Sequence, residues 1–406
     1  MTLIHHSKEI FGEINIGGSK SESNRWLILQ KLYPGIKTIH NLSDAQDTQL
    51  LKKALSKKRQ LIDIHHAGTA MRFLTAYFAF QEDEVELTGS ERMQERPIEP
   101  LVSALNKIGA NIEYLKKEGF PPIKINGDKT DIEEIDVAAN ISSQYISALM
   151  LVAPTFPNGL RINFTTPLTS KPYIEMTKAQ LESIGVEVNW LENGIKVYPL
   201  QRSACGEVVV ESDWSSASYW FSIAAFSKEC QISLKTYKKD SLQGDAKISK
   251  IFEENFGVRT YWHENAIILR KDYAFIPKDY IELDLNETPD IAQTIAVTCA
   301  GLQIKAKLTG LHTLKIKETD RLLALQNELK KCGVETIIDD DSIEITACNT
   351  VFQTPSIDTY NDHRMAMSFA PFALLHKIQI NEPEVVEKSY PNYWRDLEKV
   401  GFNVLY

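Results

Sequence analysis

Cysteine is scarce in this chain of 406 residues: Cys205, Cys230, Cys299, Cys332 and Cys348 are scattered, odd in number and without a CxxC pair. That excludes a disulfide framework or a zinc site and points to a reducing compartment. Long apolar runs are missing too. No stretch approaches the roughly 20 residues of a membrane span, and the N-terminal MTLIHHSKEIFGEINI has no uninterrupted apolar segment of the secretory kind. Nor is there an excess of positive charge: 45 Lys and Arg against 54 Asp and Glu give a net charge of −9, whereas a non-specific nucleic-acid binder carries a basic domain or stripe. A Ser-His-Asp constellation, metal-spaced histidines and a dinucleotide GxGxxG are all absent, so covalent, metal and redox mechanisms lack a sequence signal. The expectation is a cytoplasmic protein with no membrane or nucleic-acid partner, no cofactor and no metal.

What is there begins with an internal repeat. A chain this long needs two or more cores, and 43% apolar with 24% charged residues is ordinary for a globular protein. An amphipathic helix ending at Gly, then a strand, a polar turn and a second strand, appears as LNKIGANIEYLKKEGFPPIKI, LESIGVEVNWLENGIKVYP, FEENFGVRTYWHENAIILR and LKKCGVETIIDDDSIEIT. Gly109, Gly185, Gly257 and Gly333 end those helices at intervals of roughly 70 to 76 residues, close to one small α/β module. LEKVGFNVLY adds Gly401, and LLKKALSKKRQLIDI at 50–64 supplies a helix and strand without the Gly. Six modules fit, the first degenerate, which suggests two pseudo-symmetric halves of three. If a strand at about 10–16 belongs with the last half, the chain crosses near Gly17-Gly18 and returns near Glu211-Ser212. A double crossover of this kind leads to a ligand cleft between domains.

Clusters of cations recur beside turns and apolar helices. In KIKETDRLLAL, Lys317 and Arg321 are spaced one helical turn apart with Glu318 beside them, ahead of the stripe Leu322, Leu325 and Leu329. Cations at a helix start oppose the macrodipole, which suggests an anion to be held. An exposed ion-pair face explains any single such string; the recurrence is what argues for binding. GGSKSESNR leads through Ser19, Lys20, Ser21 and Arg25 into an apolar helix, a phosphate or carboxylate site by geometry. It is no P-loop, because Gly18 stands where the Lys should be. AGTAMR opens a helix at Gly68 with Arg72 in its first turn, and ERMQERP sets Arg92 and Arg96 before Pro97, placed in the first turn of IEPLVSALNKI. SSQ at Ser142, Ser143 and Gln144, and TSKPY with Ser170 and Tyr173, add neutral donors. Asp290 precedes an apolar helix, where a plain N-cap is the default reading, and Asp213 is read as a cap. Asp362, His363 and Arg364 fall together in YNDHRMAM, and Lys388 stands near the end.

Taken together, GSKSxSNR, AGTAMR, RMxERP, SSQ, SKPY, KETDR and YNDHRMAM resemble the 5-enolpyruvylshikimate-3-phosphate synthase family, in the family's order over nearly the whole chain. The resemblance implies an α/β fold of two pseudo-symmetric domains, residues 1–17 with 212–406 and residues 18–211. Each would hold three βαβαββ units in an inside-out α/β barrel, with the active site in the interdomain cleft. It implies transfer of the enolpyruvyl group of phosphoenolpyruvate to the 5-hydroxyl of shikimate 3-phosphate by a monomer. Carried over by motif, Lys20, Ser21, Arg25, Ser142, Ser143, Gln144, Ser170, Tyr173, Asp290, Thr313 and Lys317 would meet shikimate 3-phosphate. Lys20, Gly68, Arg96, Gln144, Arg321, Arg364 and Lys388 would surround phosphoenolpyruvate. Asp290 and Glu318 would be the acid–base carboxylates, with Lys20 a candidate proton donor and Lys388 also catalytic; the order of the carboxylate roles stays open. Gly17, His66, Phe73 and Thr313 depart from the family pattern, so the response to glyphosate, which competes at the phosphoenolpyruvate site in this family, is open. Two other readings are a sister enzyme acting on UDP-N-acetylglucosamine, which carries a loop Cys where this half has only Cys205, and a non-catalytic phosphoester binder.

Overall fold

A computed structural model describes residues 1–56, 60–82, 84–128, 130–201, 206–348 and 354–406. The chain divides into two compact units: Met1–Gly17 with Glu211–Tyr406, called unit 1 below, and Gly18–Val210, called unit 2. Each has its own continuous apolar core.

The sheets are small and open, and most repeat one order. In unit 2, Leu61–Asp63 runs parallel to Glu84–Thr88, which pairs antiparallel with Ile123–Asn126 of the hairpin begun by Asn111–Tyr114. Glu134–Val137, Leu160–Phe164, Gly194–Val197 and Val188–Leu191 repeat it. Unit 1 has the same order in Tyr280–Asp284, Lys305–Thr309, Ile343–Cys348 and Val334–Ile338, and again in Glu9–Ile14, Glu229–Lys235, Ala266–Lys271 and Val258–His263. Its last sheet, Ser356–Ile357, Ile378–Ile380, Thr2–Ile4 and Asn403–Leu405, takes an N-terminal strand in place of the hairpin's second arm.

The degenerate module differs from its sequence reading. Among the described residues its sheet has two strands, Thr38–His40 parallel to Glu207–Val209, and no hairpin. The strand read at its end, Leu61–Asp63, opens the next sheet instead. Five modules therefore carry the full pattern and this one a reduced form. The five helix-ending glycines, Gly109, Gly185, Gly257, Gly333 and Gly401, all have φ between 66° and 101°, where a Cβ is penalised.

Burial explains the layering. Strands alternate, as in Glu134–Val137, so one face of each sheet meets solvent. The helices Ser143–Val152, Trp214–Phe226 and Ala292–Gly301 are buried almost all round, the signature of a core helix. In unit 2, Lys20–Leu32, Gly68–Phe78, Ser143–Val152 and Lys171–Ser183 pack on one another inside the sheets. In unit 1, Trp214–Phe226, Ala292–Gly301 and His363–Phe369 are the equivalent inner helices, and Arg321–Lys331 packs against Ala292–Gly301. Leu322, Leu325 and Leu329 are buried as their spacing requires, each contributing about 1.5–3 kcal/mol. The starts of these inner helices carry the polar residues singled out by sequence.

Candidate active site

In unit 1 the polar cluster is organised by Arg321, the first residue of its helix and only 2% exposed. Its Nε donates to Asp362 Oδ2 at 2.6 Å, Nη1 to Asp290 Oδ1 at 3.0 Å and Nη2 to Glu318 Oε2 at 2.7 Å. Lys388, closing the turn Pro383–Lys388, donates to Glu318 Oε1 at 2.8 Å. Arg364 lies 3.2 Å from Asp290 Oδ2 and donates to the Asp290 carbonyl at 2.8 Å, while Lys317 Nζ is 3.7 Å from Asp290 Oδ1. Four cations thus meet three carboxylates, a concentration of cationic donors suited to an anion.

The electrostatics follow from that count. Burial opposes the charged form of Asp290, yet the guanidinium of Arg364, with Lys317 and Arg321, outweighs burial and the repulsion of Glu318, holding the carboxyl well below the usual range. Burial likewise works against the Arg321 cation, and the carboxylates of Asp362, Glu318 and Asp290 overcome it and raise its pKa. Thr313 sits in the turn His312–Ile316 with a buried hydroxyl that has no hydrogen-bond partner among the described residues.

Two sequence readings are corrected here. Lys317 and Arg321 are not a turn apart on one helix: the helix starts at Arg321, Asp320 caps it by accepting from Leu323 N–H at 3.1 Å, and Lys317 lies in the preceding loop. Asp290 is not a bare N-cap either. It occupies the turn Pro289–Ile291, Ile291 stands at the cap of Ala292–Gly301, and the carboxylate turns to the arginines. Asp213 does cap its helix, accepting from Ser216 N–H at 2.8 Å.

In unit 2 the cluster lies at four helix starts. Ser19 caps Lys20–Leu32, and Lys20 pairs with the buried Asp47 at 3.2 Å. Arg25, also 2% exposed, donates to Thr177 Oγ1, the Ser21 carbonyl, Ser147 Oγ and the Tyr173 carbonyl. Its guanidinium also lies over the rings of Phe73, at 5.3 Å, and Tyr173, at 5.9 Å. Those bonds leave one N–H of five for a ligand. Burial pulls the Arg25 pKa down to about 10, against the opposing influence of Tyr173 and Glu22. Gln144 Nε2 donates to Thr69 Oγ1 at 3.1 Å, beside Gly68. A Cβ on Gly68 would meet the Arg96 guanidinium at 2.7 Å, so the glycine makes room for Arg96.

Where the sequence left Arg92 and Arg96 unresolved, the structure separates them. Arg92 pairs with Glu95 at the surface, and Arg96 is 8% exposed against Gly68. Arg72 is structural, donating to the Gly68 and Pro97 carbonyls. Pro97 lies outside the helix Glu99–Lys107, whose first turn holds Pro100. Ser142 caps Ser143–Val152 by accepting from Gln144 N–H, and Ser170, at φ 52°, precedes Lys171–Ser183 without a side-chain cap bond. His66 receives a hydrogen bond or gives one to Ser90 at 2.8 Å. Cys205 lies outside the described residues. Asp47, Ser147 and Thr177 were missed; only their partners in space mark them. Among the described residues no group of three or more side chains could hold a metal ion, and no helix is long and apolar enough to cross a membrane.

Comparison with known proteins places the chain among relatives. The family described as EPSP synthase (3-phosphoshikimate 1-carboxyvinyltransferase) matches residues 52–397. A relative from Bacteroides fragilis (strain YCH46), named 3-phosphoshikimate 1-carboxyvinyltransferase, is 44% identical, covering 99% of this chain and 98% of its own. One of the same name from Shewanella sp. (strain W3-18-1) is 37% identical, over 95% and 96%. Among solved structures, EPSP synthase from Acinetobacter baumannii has TM-score 0.78 at 20% identity, over 100% of this chain and 99% of that one. The enolpyruvyl transferase NikO from Streptomyces tendae has TM-score 0.75 at 13% identity, over 99% and 97%. Both of these share the fold.

Proposed function

The chain belongs to the EPSP synthase (3-phosphoshikimate 1-carboxyvinyltransferase) family, and from that premise we propose how its two cationic clusters divide one reaction. The reaction is transfer of the enolpyruvyl group of phosphoenolpyruvate to the 5-hydroxyl of shikimate 3-phosphate, releasing phosphate, in the shikimate pathway to chorismate. Both substrates are strongly anionic, and their repulsion has to be offset before they react.

Ser21, Arg25, Ser142, Ser143, Gln144, Ser170, Tyr173, Lys317, Asp290 and Thr313 hold shikimate 3-phosphate. Lys20, Gly68, Arg96 and Gln144, with Arg321, Arg364 and Lys388, hold phosphoenolpyruvate. Arg25 serves mainly as a fixed frame, since most of its donors are spent within unit 2. The buried, unmet hydroxyl of Thr313 is free to meet the phosphate ester of shikimate 3-phosphate.

In the addition step the hydroxyl oxygen attacks C2 of phosphoenolpyruvate while the methylene carbon takes up a proton. The product is a tetrahedral ketal. In the elimination step a methyl proton leaves, the C2–O bond to phosphate breaks and the enol ether forms. Asp290 accepts the hydroxyl proton: held ionised by its cations, it first receives the hydrogen bond and takes the proton only as the C–O bond forms. Glu318, with Lys20, handles the carbon proton, and Lys388 orients Glu318 at 2.8 Å. Properly placed acid–base groups supply about 10²–10⁴-fold; the remainder comes from fixed charges around the anions.

The observation that carries this reading is the gathering of Lys317, Arg321, Arg364 and Lys388 around Asp290, Glu318 and Asp362. Phosphate release from phosphoenolpyruvate, measured with a metal chelator and either shikimate 3-phosphate or UDP-N-acetylglucosamine as acceptor, tests it. Release is expected with shikimate 3-phosphate alone. Release only with the nucleotide sugar would move the protein to the sister activity, and release with neither would leave a binding protein.

A further inference from the structure

Asp245 belongs to none of the sets above. It lies in the turn Gly244–Lys247, is 5% exposed, and its Oδ2 accepts a short hydrogen bond from the hydroxyl of Ser215, in the first turn of Trp214–Phe226. The Ser215 oxygen in turn accepts from Arg364 Nη2 at 3.4 Å, and that same nitrogen stands 3.2 Å from Asp290 Oδ2. A buried carboxylate in a turn is costly, and a neutral residue would fill the place more cheaply. The cost is intelligible if the carboxylate acts on Arg364.

Charge supports the same conclusion. Lys317, Arg321, Arg364 and Lys388 face Asp290, Glu318 and Asp362. Asp245 is a fourth acid beside this set, so its protonation decides whether surplus positive charge remains. Burial, and next the charge of Asp290, push the Asp245 carboxyl up to about 7, while Arg364 and the Ser215 hydrogen bond oppose the shift.

We propose that Asp245 acts through Ser215 as a positioning residue for Arg364, fixing the orientation of the guanidinium and limiting the positive charge it presents to the anionic donor substrate. The inference rests on the reading of Arg364 as a phosphoenolpyruvate ligand. It places the effect in donor affinity rather than in proton transfer, because the hydrogen bonds from Ser215 to Asp245 and from Arg364 to Ser215 end on the proposed donor ligand.

The test is steady-state kinetics of the full chain with each substrate varied in turn, for Asp245→Ala, Asp245→Asn, Ser215→Ala and the double variant Asp245→Ala/Ser215→Ala. Asp245→Ala and Ser215→Ala are each expected to raise KM for phosphoenolpyruvate by roughly five- to tenfold, with kcat and KM for shikimate 3-phosphate within about twofold of native. The double variant should be no worse than the more affected single, because both act in one chain of contacts. Asp245→Asn keeps an acceptor for Ser215 and removes a negative charge, so its KM for phosphoenolpyruvate should be native or lower. Additive losses in the double variant, equal changes in both KM values, a fall in kcat alone, an Asn variant as impaired as Ala, or unchanged singles would each overturn the proposal. A native enzyme with no turnover on this substrate pair would instead overturn the functional reading, and the proposal with it.

Discussion

Asp290 meets Arg364 Nη2 directly and Asp245 is linked to the same nitrogen through Ser215, and the two acids are driven in opposite directions. Asp290 is penalised by burial but met by Arg364, Lys317 and Arg321; Asp245 is penalised by burial and by Asp290, and Arg364 with the Ser215 hydrogen bond offsets this only in part. An acid near 3.9 in the unfolded chain and near 7 in the folded one takes up a proton on folding, so its contribution makes stability fall as pH rises through that window. The groups facing Asp245 are Asp290, Arg364, Ser215 and Asp213. Asp245→Asn should therefore melt above the native protein at pH 8, with the gap closing as pH drops toward 4, in thermal unfolding followed by circular dichroism. A gap that is the same at both values would mean that Asp245 is already ionised in the folded protein at low pH. None of this was legible in the sequence, because Ser215 and Arg364 come to Asp245 from elsewhere in the chain. Asp290 was legible as a residue of interest, but its role was hidden because Arg321 and Arg364 come from elsewhere in the chain.

At the scale of elements, the helix Arg321–Lys331 governs the unit 1 cluster at two points. Arg321 at its start holds Asp362. Two turns further on, the fully buried Glu328 accepts from Asp358 N–H at 3.0 Å and the Tyr360 hydroxyl at 2.7 Å. Between those anchors Tyr360 and Asn361 both have positive φ, 54° and 55°, a strained pair that persists only because its surroundings fix it. Glu328→Ala would leave both donors without their acceptor and destabilise the protein by roughly 3 kcal/mol. Turnover should drop as well, at temperatures where the variant is still folded, because Asp362 and Arg364 follow directly on that loop. Glu328→Gln, which retains an acceptor, should recover most of both losses; equal defects in the two variants would show that the loop is held by other contacts. The apolar stripe of this helix was readable from its spacing. Its start was misplaced because the Lys317–Arg321 interval mimics a helical turn, although Asp320 directly before Arg321 and Leu322 was an available cap signal.

For the whole molecule, the glycine spacing revealed the modular plan because each module needs the same left-handed helix end. What spacing could not show is which strands complete a sheet. The strand expected at about 10–16 is Glu9–Ile14, parallel to Glu229–Lys235, and a further strand, Thr2–Ile4, lies between Ile378–Ile380 and Asn403–Leu405. Leu3, Ile10 and Ile14 are fully buried in the unit 1 core. Their burial is worth about 5–9 kcal/mol in total, comparable to the whole stability of a domain, about 5–15 kcal/mol. The strands also complete the hydrogen bonding of two sheets whose remaining edges would be exposed. Unit 2 takes nothing from this segment: its core is drawn entirely from Gly18–Val210. Removing residues 1–14 should therefore abolish slow amide exchange throughout Glu211–Tyr406 while residues 18–210 keep their protection, read by hydrogen exchange with mass spectrometry. Protection retained in both units would mean that the N-terminal strands are dispensable decoration. Loss in both would mean that the separate cores are energetically one.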